Sequence, residues 1–197
     1  MKKNFVMVAT ATALLLSSCG TQKNPMTTAN NNRSASPFGD VYEVPAAEND
    51  TDEYFGATGI ASGSKARMGE LQLMALTNAQ NIIRQKMQHA YKGAVDDYMN
   101  SVGNNAGTDI EAKIERGGTQ IIDVIVNDTQ ASKGPMFSAV DDKGNVTCYI
   151  GIRISKKAMV DKIADYVSED EELKIRFKED QFRQRMEESF KKFKENK

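Results

Sequence analysis

Several residue types that build metal and redox sites are nearly missing from this 197-residue chain. It contains one histidine, two cysteines and no tryptophan. Because zinc and related metals are held mostly by histidine and cysteine, this scarcity argues against a metal cluster of those residues. We predict neither a metal site nor a bound cofactor.

A strong excess of one charge is also lacking. The 26 lysines and arginines face 27 acidic residues, so the formal net charge is -1. Such a chain has no global basic field to attract a phosphate backbone, and we do not expect a nucleic-acid partner. The hydrophobic fraction of 40% and charged fraction of 27% are ordinary for a globular protein. The length fits one domain with appendages.

The N-terminus is typical of a secretory signal peptide. Lys2 and Lys3 form a positive start, and an apolar run follows from residue 5 to residue 16. The run is about half of the roughly 20 residues that a membrane-spanning helix needs. We therefore interpret residues 1–18 as a targeting segment that is removed.

The apolar run ends in Leu16-Ser17-Ser18-Cys19, which resembles the lipobox of bacterial lipoproteins. The resemblance implies cleavage after Ser18 and attachment to Cys19 of a diacylglycerol and an N-acyl chain such as palmitate. Two or three chains anchor a protein stably, whereas one binds reversibly. The alternative is that Cys19 is an incidental small residue of an ordinary signal peptide.

Gly20 stands where inner-membrane lipoproteins of many bacteria carry aspartate. The lipoprotein resemblance therefore implies a cell-envelope protein of the outer membrane that faces the periplasm. Residues 19–52 are polar and include three consecutive asparagines and three of the four prolines. Because such a segment buries too little apolar area to offset the entropy of ordering, we predict a flexible tether.

The α+β domain is predicted over residues 53–167, with a strand at 54–61 first. Ser62 or Ser64 then caps a long helix over residues 65–102, where alanines at 75, 79, 90 and 94 allow close approach to a sheet. A straight helix of this length exceeds a small domain, so we expect a break or a kink, with Gly93 as the favoured position.

The second half of the predicted domain is mainly strand. A loop at 102–108 leads into residues 110–117, which fit either a strand or a helix. The β-branched run 120–127 predicts a strand, and 136–140 a second one. A turn at 141–145 leads into 146–154, whose alternation predicts a half-buried strand with Cys148 on the core face. The fold class is α+β, with a small antiparallel sheet covered by the long helix.

Helices complete the predicted order. One covers residues 155–167, and Ser168 with Glu171 forms a capping box that starts an additional charged helix over 168–197. Its stripe of apolar side chains is the candidate partner-binding face, formed by Phe177, Phe182, Met186, Phe190 and Phe193 together with Leu173. Two alternatives stay open: the helix folds back onto its own domain, or it meets another chain. Binding to a membrane surface is disfavoured, because the polar face of the helix is not predominantly basic.

The domain resembles the twenty-kilodalton bacterial membrane-lipoprotein antigen family. The resemblance rests on residues 56–63 (GATGIASG), the alanine-bearing helix after them, residues 122–124 (IDV) and the strand 148–153 (CYIGIR). It covers residues 55–158, about half of the chain, and the C-terminal helix is an addition to the family core. The family implies fold and location, and it transfers no catalytic residue.

Four other features have ordinary structural interpretations. The glycines at 56, 59 and 63 match neither a Walker A loop nor a dinucleotide-binding loop, so they indicate tight helix–strand packing. His89 lacks the partners that a triad or metal site needs, and Cys148 reads as a small core residue. The acidic pairs 96–97 and 141–142 lack calcium-loop spacing and are interpreted as solvated surface or turn.

The predicted function is that of a lipid-anchored, non-enzymatic envelope module. It would bind a protein or cell-wall partner, attach to the membrane through its N-terminal lipid, and form a homo-oligomer as a further option. One alternative is an envelope hydrolase that uses carboxylates, and another is a subunit of an envelope assembly. We assign no catalytic residue.

Overall fold

The structure, a computed structural model, describes residues 43–102, 108–170 and 177–195. These residues form the elements of one compact unit that reaches to the C-terminus. The predicted lipid site, Cys19, and most of the predicted tether lie outside the described residues. In chain order the elements are β1 (Tyr54–Ser64), α1 (Met68–Val102), α2 (Thr108–Asn127), β2 (Lys133–Phe137), β3 (Asn145–Ser155), α3 (Lys156–Glu169) and α4 (Glu179–Glu195).

The sheet of the described region has the order β1-β3-β2 and is antiparallel throughout. Tyr54 pairs with Ser155 and Ser64 with Asn145, so the first strand lies along the last one without a break in register. The core-facing residues predicted for β3 are confirmed, because Val146, Cys148 and the isoleucines at 150, 152 and 154 are all buried. The strand is not half-buried as predicted, because Tyr149 and Gly151 on its other face are buried as well. The α+β class, with a long helix covering a small sheet, is confirmed as well.

Helix α1 covers the sheet at unusually close range, as its alanines predicted. Ala75 and Ala79 are fully buried, and a Cβ on Gly59 of β1 would collide with the backbone of both. Glycine and alanine therefore bring the helix backbone against the strand backbone. The predicted role of these glycines in tight helix–strand packing is confirmed at Gly59.

The break predicted as one option at Gly93 is wrong, because α1 is one continuous helix of 35 residues. The other option, a kink, stays a prediction. Other helices cover its length: α2 lies along it, and α4 crosses it beside Gly93. A Cβ on Gly93 would lie 3.8 Å from the Ser189 hydroxyl of α4. The glycine thus marks a close helix crossing.

The strand predicted over residues 120–127 was also wrong, because these residues are the second half of α2. Their β-branched composition favours a strand locally, but Ile114, Ile122 and Val126 are buried at helical spacing against α1 and the core. Two glycines, at 117 and 118, lie inside this helix, where glycine is unfavourable. In the helix they lie directly against the rings of Tyr166 and Tyr91, where no Cβ would fit.

The hairpin was predicted correctly at its turn and shifted at its first strand. Gly144 has φ of 78°, and the backbone N–H of Asp141 donates to the carbonyl of Asn145, which closes the 141–145 turn. Strand β2 occupies residues 133–137 and not 136–140. The predicted helix after β3 is confirmed as α3, with Ser155 as its N-cap.

The segment 43–52 extends the folded unit ten residues before its predicted start at Glu53. It lies on the face of the sheet that α1 leaves open. The backbone N–H of Glu48 donates to the Thr58 hydroxyl at 2.8 Å, and that of Gly56 donates to Asp50 Oδ1 at 3.0 Å. Ala46 packs so closely over Gly151 that a Cβ there would meet the Ala46 carbonyl.

The last helix begins later than predicted. Ser168 does not cap it, because Ser168 lies inside α3, and its hydroxyl donates to Glu179 Oε2 at 2.9 Å. Its predicted partner in the capping box, Glu171, lies outside the described residues. Helix α4 starts at Glu179 and packs on α1 and α3.

Candidate functional site

The predicted partner-binding face of the C-terminal helix is turned into the domain's own core. Phe182, Met186 and Phe190 are buried, with at most 2% of their surface exposed, and Phe177 is partly buried against the same cluster. The side chain of Phe193 lies outside the described part of the chain. Of the two alternatives left open by the sequence, the structure shows the fold-back.

Edge-to-face aromatic contacts hold α4 in this position. The Phe190 ring lies 5.2 Å from the Phe55 ring of β1, and the Phe182 ring lies 5.3 Å from the Tyr98 ring of α1. Such pairs stabilise packing beyond the area they bury. Serine at Phe182 or Phe190 would therefore damage the core, so a partner contact cannot be tested by removing these rings alone.

A polar rim surrounds the buried stripe. Arg183 donates to Asp161 at 2.6 Å, to Glu179 at 2.8 Å and to Asp165 at 3.0 Å. The guanidinium lowers the pKa of the Glu179 carboxyl through their hydrogen bond. The pKa of Asp161 is lowered first by its hydrogen bond with Lys157 and further by Arg183. These ion pairs join α4 to α3.

Lys156 is a charged residue whose side chain is buried in the described part of the chain. Its ammonium group donates to the Phe190 carbonyl of α4 at 3.1 Å and lies 5.1 Å from the centre of the Phe55 ring. A lysine near a helix C-terminus interacts favourably with its carbonyl groups. Sequence reasoning missed this contact, because it joins the start of α3 to the far end of the chain.

The positions of Cys148 and His89 do not support a catalytic role for either side chain. Cys148 is fully buried among apolar side chains, and burial raises the pKa of its thiol. A raised pKa disfavours the thiolate that acts as nucleophile. His89 is exposed on α1 and is distant in sequence from Cys148.

One acidic cluster of the described region joins residues that the sequence kept apart. Carboxylate oxygens of Asp96, Glu111 and Glu115 lie within 4.8 Å of one another where α2 runs back along α1. Oxygen donors of this kind suit calcium or magnesium. Asp96 is exposed and the two glutamates are half-buried, so the arrangement is equally typical of a solvated acidic surface.

A polar cleft of about 350 Å³ opens where the hairpin meets the end of β1. The hydroxyls of Ser62 and Thr147 are hydrogen-bonded to each other across its floor at 2.8 Å. Asp141 is occupied by the turn, because it accepts from the backbone of Lys143 and Asn145. These backbone donors, that of Asn145 first, lower the pKa of its carboxyl. The hydroxyl groups of the cleft are therefore already hydrogen-bonded to neighbouring groups.

Comparison with known proteins adds no relative. The chain matches no family model, no curated protein and no solved structure. The resemblance to the membrane-lipoprotein antigen family therefore stays a prediction from the sequence. Among the described residues, none of the helices combines the length and the apolar character that crossing a bilayer demands.

Proposed function

We propose that this protein is a lipid-anchored lipoprotein of the bacterial cell envelope that acts as a non-enzymatic binding or structural module. The observation that carries the proposal is the sequence Leu16-Ser17-Ser18-Cys19 at the end of a short apolar run with a positive start. Acyl chains on Cys19 would hold the protein at the outer membrane on its periplasmic side. The segment that follows would carry the folded unit away from the lipid.

The burial of Cys148 supports the proposal that the two cysteines have different roles. Cys148 is enclosed in the core, where it serves packing and its thiolate is disfavoured. Cys19 is then the cysteine whose chemistry would be used. The partner would be a protein or a cell-wall polymer that meets the outer surface of the domain.

Fatty-acid labelling in the bacterial cell tests the anchor. We expect a clickable palmitate analogue to label the wild-type chain and the Cys148→Ala variant, and to leave Cys19→Ala unlabelled and in its longer, unprocessed form. The Cys148→Ala variant is the matched control, because it removes the other thiol. A wild-type chain without label, or a Cys19→Ala chain processed normally, would contradict the proposal.

Capture of the anchored protein tests the binding role. Cross-linking in intact cells, followed by purification in mild detergent, should recover a discrete complex with wild type and lose it with Cys19→Ala. Loss would follow because the unanchored chain no longer meets a partner at the membrane. An identical yield from both chains would show that the anchor does not place the protein beside its partner.

A further inference from the structure

The segment 43–52, called the strap below, lies on the open face of the sheet in the manner of a bound peptide. The sheet beneath it carries glycine where the strap passes closest. A Cβ on Gly56 of β1 would collide with the backbone of Asn49, and a Cβ on Gly151 of β3 would collide with the Ala46 carbonyl. Because only glycine leaves this space, the sheet forms a shallow groove in which a main chain can lie directly on the strands.

Two lysines on different sides of the groove hold the carboxylates of the strap. On the α1 side, Lys86 Nζ lies 3.2 Å from Asp50 Oδ1, and the same oxygen accepts from the Gly56 N–H at 3.0 Å. On the β2 side, Lys133 Nζ lies 3.8 Å from Glu48 Oε1. Only 8% of the Asp50 side chain and 11% of the Glu48 side chain are exposed. The groove therefore suits a segment with two carboxylates placed two residues apart.

The groove also binds the main chain of the strap. The N–H of Glu48 donates to the Thr58 hydroxyl at 2.8 Å, and that hydroxyl donates to the Ala46 carbonyl at 3.4 Å. Lys133 Nζ donates to the Ala47 carbonyl at 2.9 Å. Main-chain hydrogen bonds give affinity for an extended segment of any sequence, whereas side-chain contacts give specificity. Here the specificity comes from the two lysines and from the small space that Ala46 fills.

The strap is a poorly fitting occupant of its own groove. Ala46 has φ of 55°, a left-handed conformation that is unfavourable for alanine and accessible to glycine. Ala46 is also the only apolar side chain of the strap that is buried. After the strap, the N–H of Thr51 donates to the Tyr54 carbonyl in a turn, and β1 beyond this turn is paired with β3. The strap can therefore leave the groove while the strands stay paired.

We propose that the groove beneath the strap is a binding site for an extended acidic segment of another protein, and that the strap closes it as an internal ligand. The incoming segment carries two carboxylates, two residues apart, for Lys133 and Lys86. It carries a small residue two positions before the first carboxylate, and glycine there avoids the conformational cost that Ala46 bears. This interaction surface goes beyond the proposed anchoring function and does not depend on it.

A synthetic peptide with the sequence of the strap, EVPAAENDTD, tests the groove from outside the chain. In the purified full chain, Asp50→Lys places a second positive charge beside Lys86 and should release the strap. We expect the fluorescent peptide to bind this variant at least roughly tenfold more tightly than it binds wild type, whose groove is occupied. Fluorescence anisotropy measures the binding. Asp142→Lys is the matched control, because it makes the same charge change in the exposed turn and should behave as wild type.

Two further comparisons test which contacts bind the peptide. A peptide with lysine in place of its second carboxylate should bind the opened variant at least roughly tenfold more weakly. The double variant Asp50→Lys with Lys86→Glu restores an opposite-charge pair within the chain, so its strap should close again and exclude the peptide. Hydrogen exchange over residues 46–56 distinguishes closure from the mere loss of Lys86: exchange should be fast in Asp50→Lys and slower in the double variant.

Glu48→Lys opens the other side of the groove by the same repulsion, here against Lys133, and provides a second variant that should bind the peptide. Circular dichroism verifies that each variant keeps the wild-type helix content. The proposal is overturned if the folded Asp50→Lys and Glu48→Lys chains both fail to bind the peptide, or if Asp142→Lys binds it equally well. A wild-type dimer that dissociates in Asp50→Lys also overturns it, because the strap would then be exchanged between two copies of this chain.

Discussion

The two segments that flank the predicted domain are held to it in opposite ways. Helix α4, at the C-terminal end, inserts Phe182, Met186 and Phe190 into the core with almost no exposed surface. The segment 43–52, at the N-terminal end, buries only Ala46 of its apolar side chains to that extent. It is held instead by hydrogen bonds from its backbone and from Asp50. One flank is attached by apolar burial and the other by polar contacts.

The difference predicts which flank opens first. Burying a large apolar side chain contributes about 1.5–3 kcal/mol, whereas a typical hydrogen bond contributes a net 0.5–1.5 kcal/mol. Three buried side chains therefore tie α4 to global unfolding. The N-terminal segment can detach while the core stays folded, because its bonds can be exchanged for bonds to water.

The largest effect is expected from Phe182→Ala. The substitution leaves a cavity beside Tyr98 and should lower the free energy of unfolding by about 3–5 kcal/mol. Chemical denaturation of the full chain measures it. Val124→Ala is the control, since Val124 is 53% exposed on α2 and should change stability little. Equal effects of the two substitutions would show that α4 is not part of the cooperative core.

An intermediate effect is expected from Asp50→Ala on the N-terminal flank. Asp50 accepts from the Gly56 N–H and pairs with Lys86, so its loss should cost roughly 1.5–3 kcal/mol of local stability. Hydrogen exchange should speed up over residues 46–56 and stay unchanged in α4. Asp142→Ala, in the exposed turn, is the control. Faster exchange of α4 as well would mean that both flanks open together.

The smallest effect is expected from Arg183→Gln on the rim of α4. Because its ion pairs with Asp161 and Glu179 are partly exposed, the loss should not exceed about 1 kcal/mol. The pKa values of both carboxyls are lowered in the fold. The contribution of Arg183 is therefore full above the ordinary carboxyl pKa values near 4 and declines as the pH falls through the lowered ones.

Thermal unfolding between pH 2 and pH 7 measures this dependence. The curves of wild type and Arg183→Gln should be separate at neutral pH and converge in acid. A constant separation at every pH would show that Arg183 acts through packing of its side chain and not through its charge partners.

The sequence predicted those elements whose local pattern and tertiary role agree. The core-facing residues of β3 and the turn glycine Gly144 were such cases, and both were located correctly. Helix α2 was missed because local preference and packing disagree there. Its β-branched second half favours a strand, and its glycine pair is unfavourable in a helix. Only the rings of Tyr91 and Tyr166, distant in sequence, explain why glycine occupies the middle of that helix.

The candidate sites also differ in whether the sequence alone could predict them. The burial of Cys148 followed from its place in an alternating strand. The fold-back of α4 was one of two alternatives, because an apolar stripe does not reveal whether its partner is the same chain or another one. The grouping of Asp96 with Glu111 and Glu115 depends on α2 running back along α1, so no sequence spacing could show it.

The pairing of β1 with β3 also affects the order in which parts of the protein fold. Tyr54 must find Ser155 across about half of the polypeptide, and closing so wide a loop costs entropy before any contact rewards it. Until that pairing forms, the uncharged segment Tyr54–Ser64 has no strand beside it, so the unfolded chain exposes a stretch that can pair with other chains.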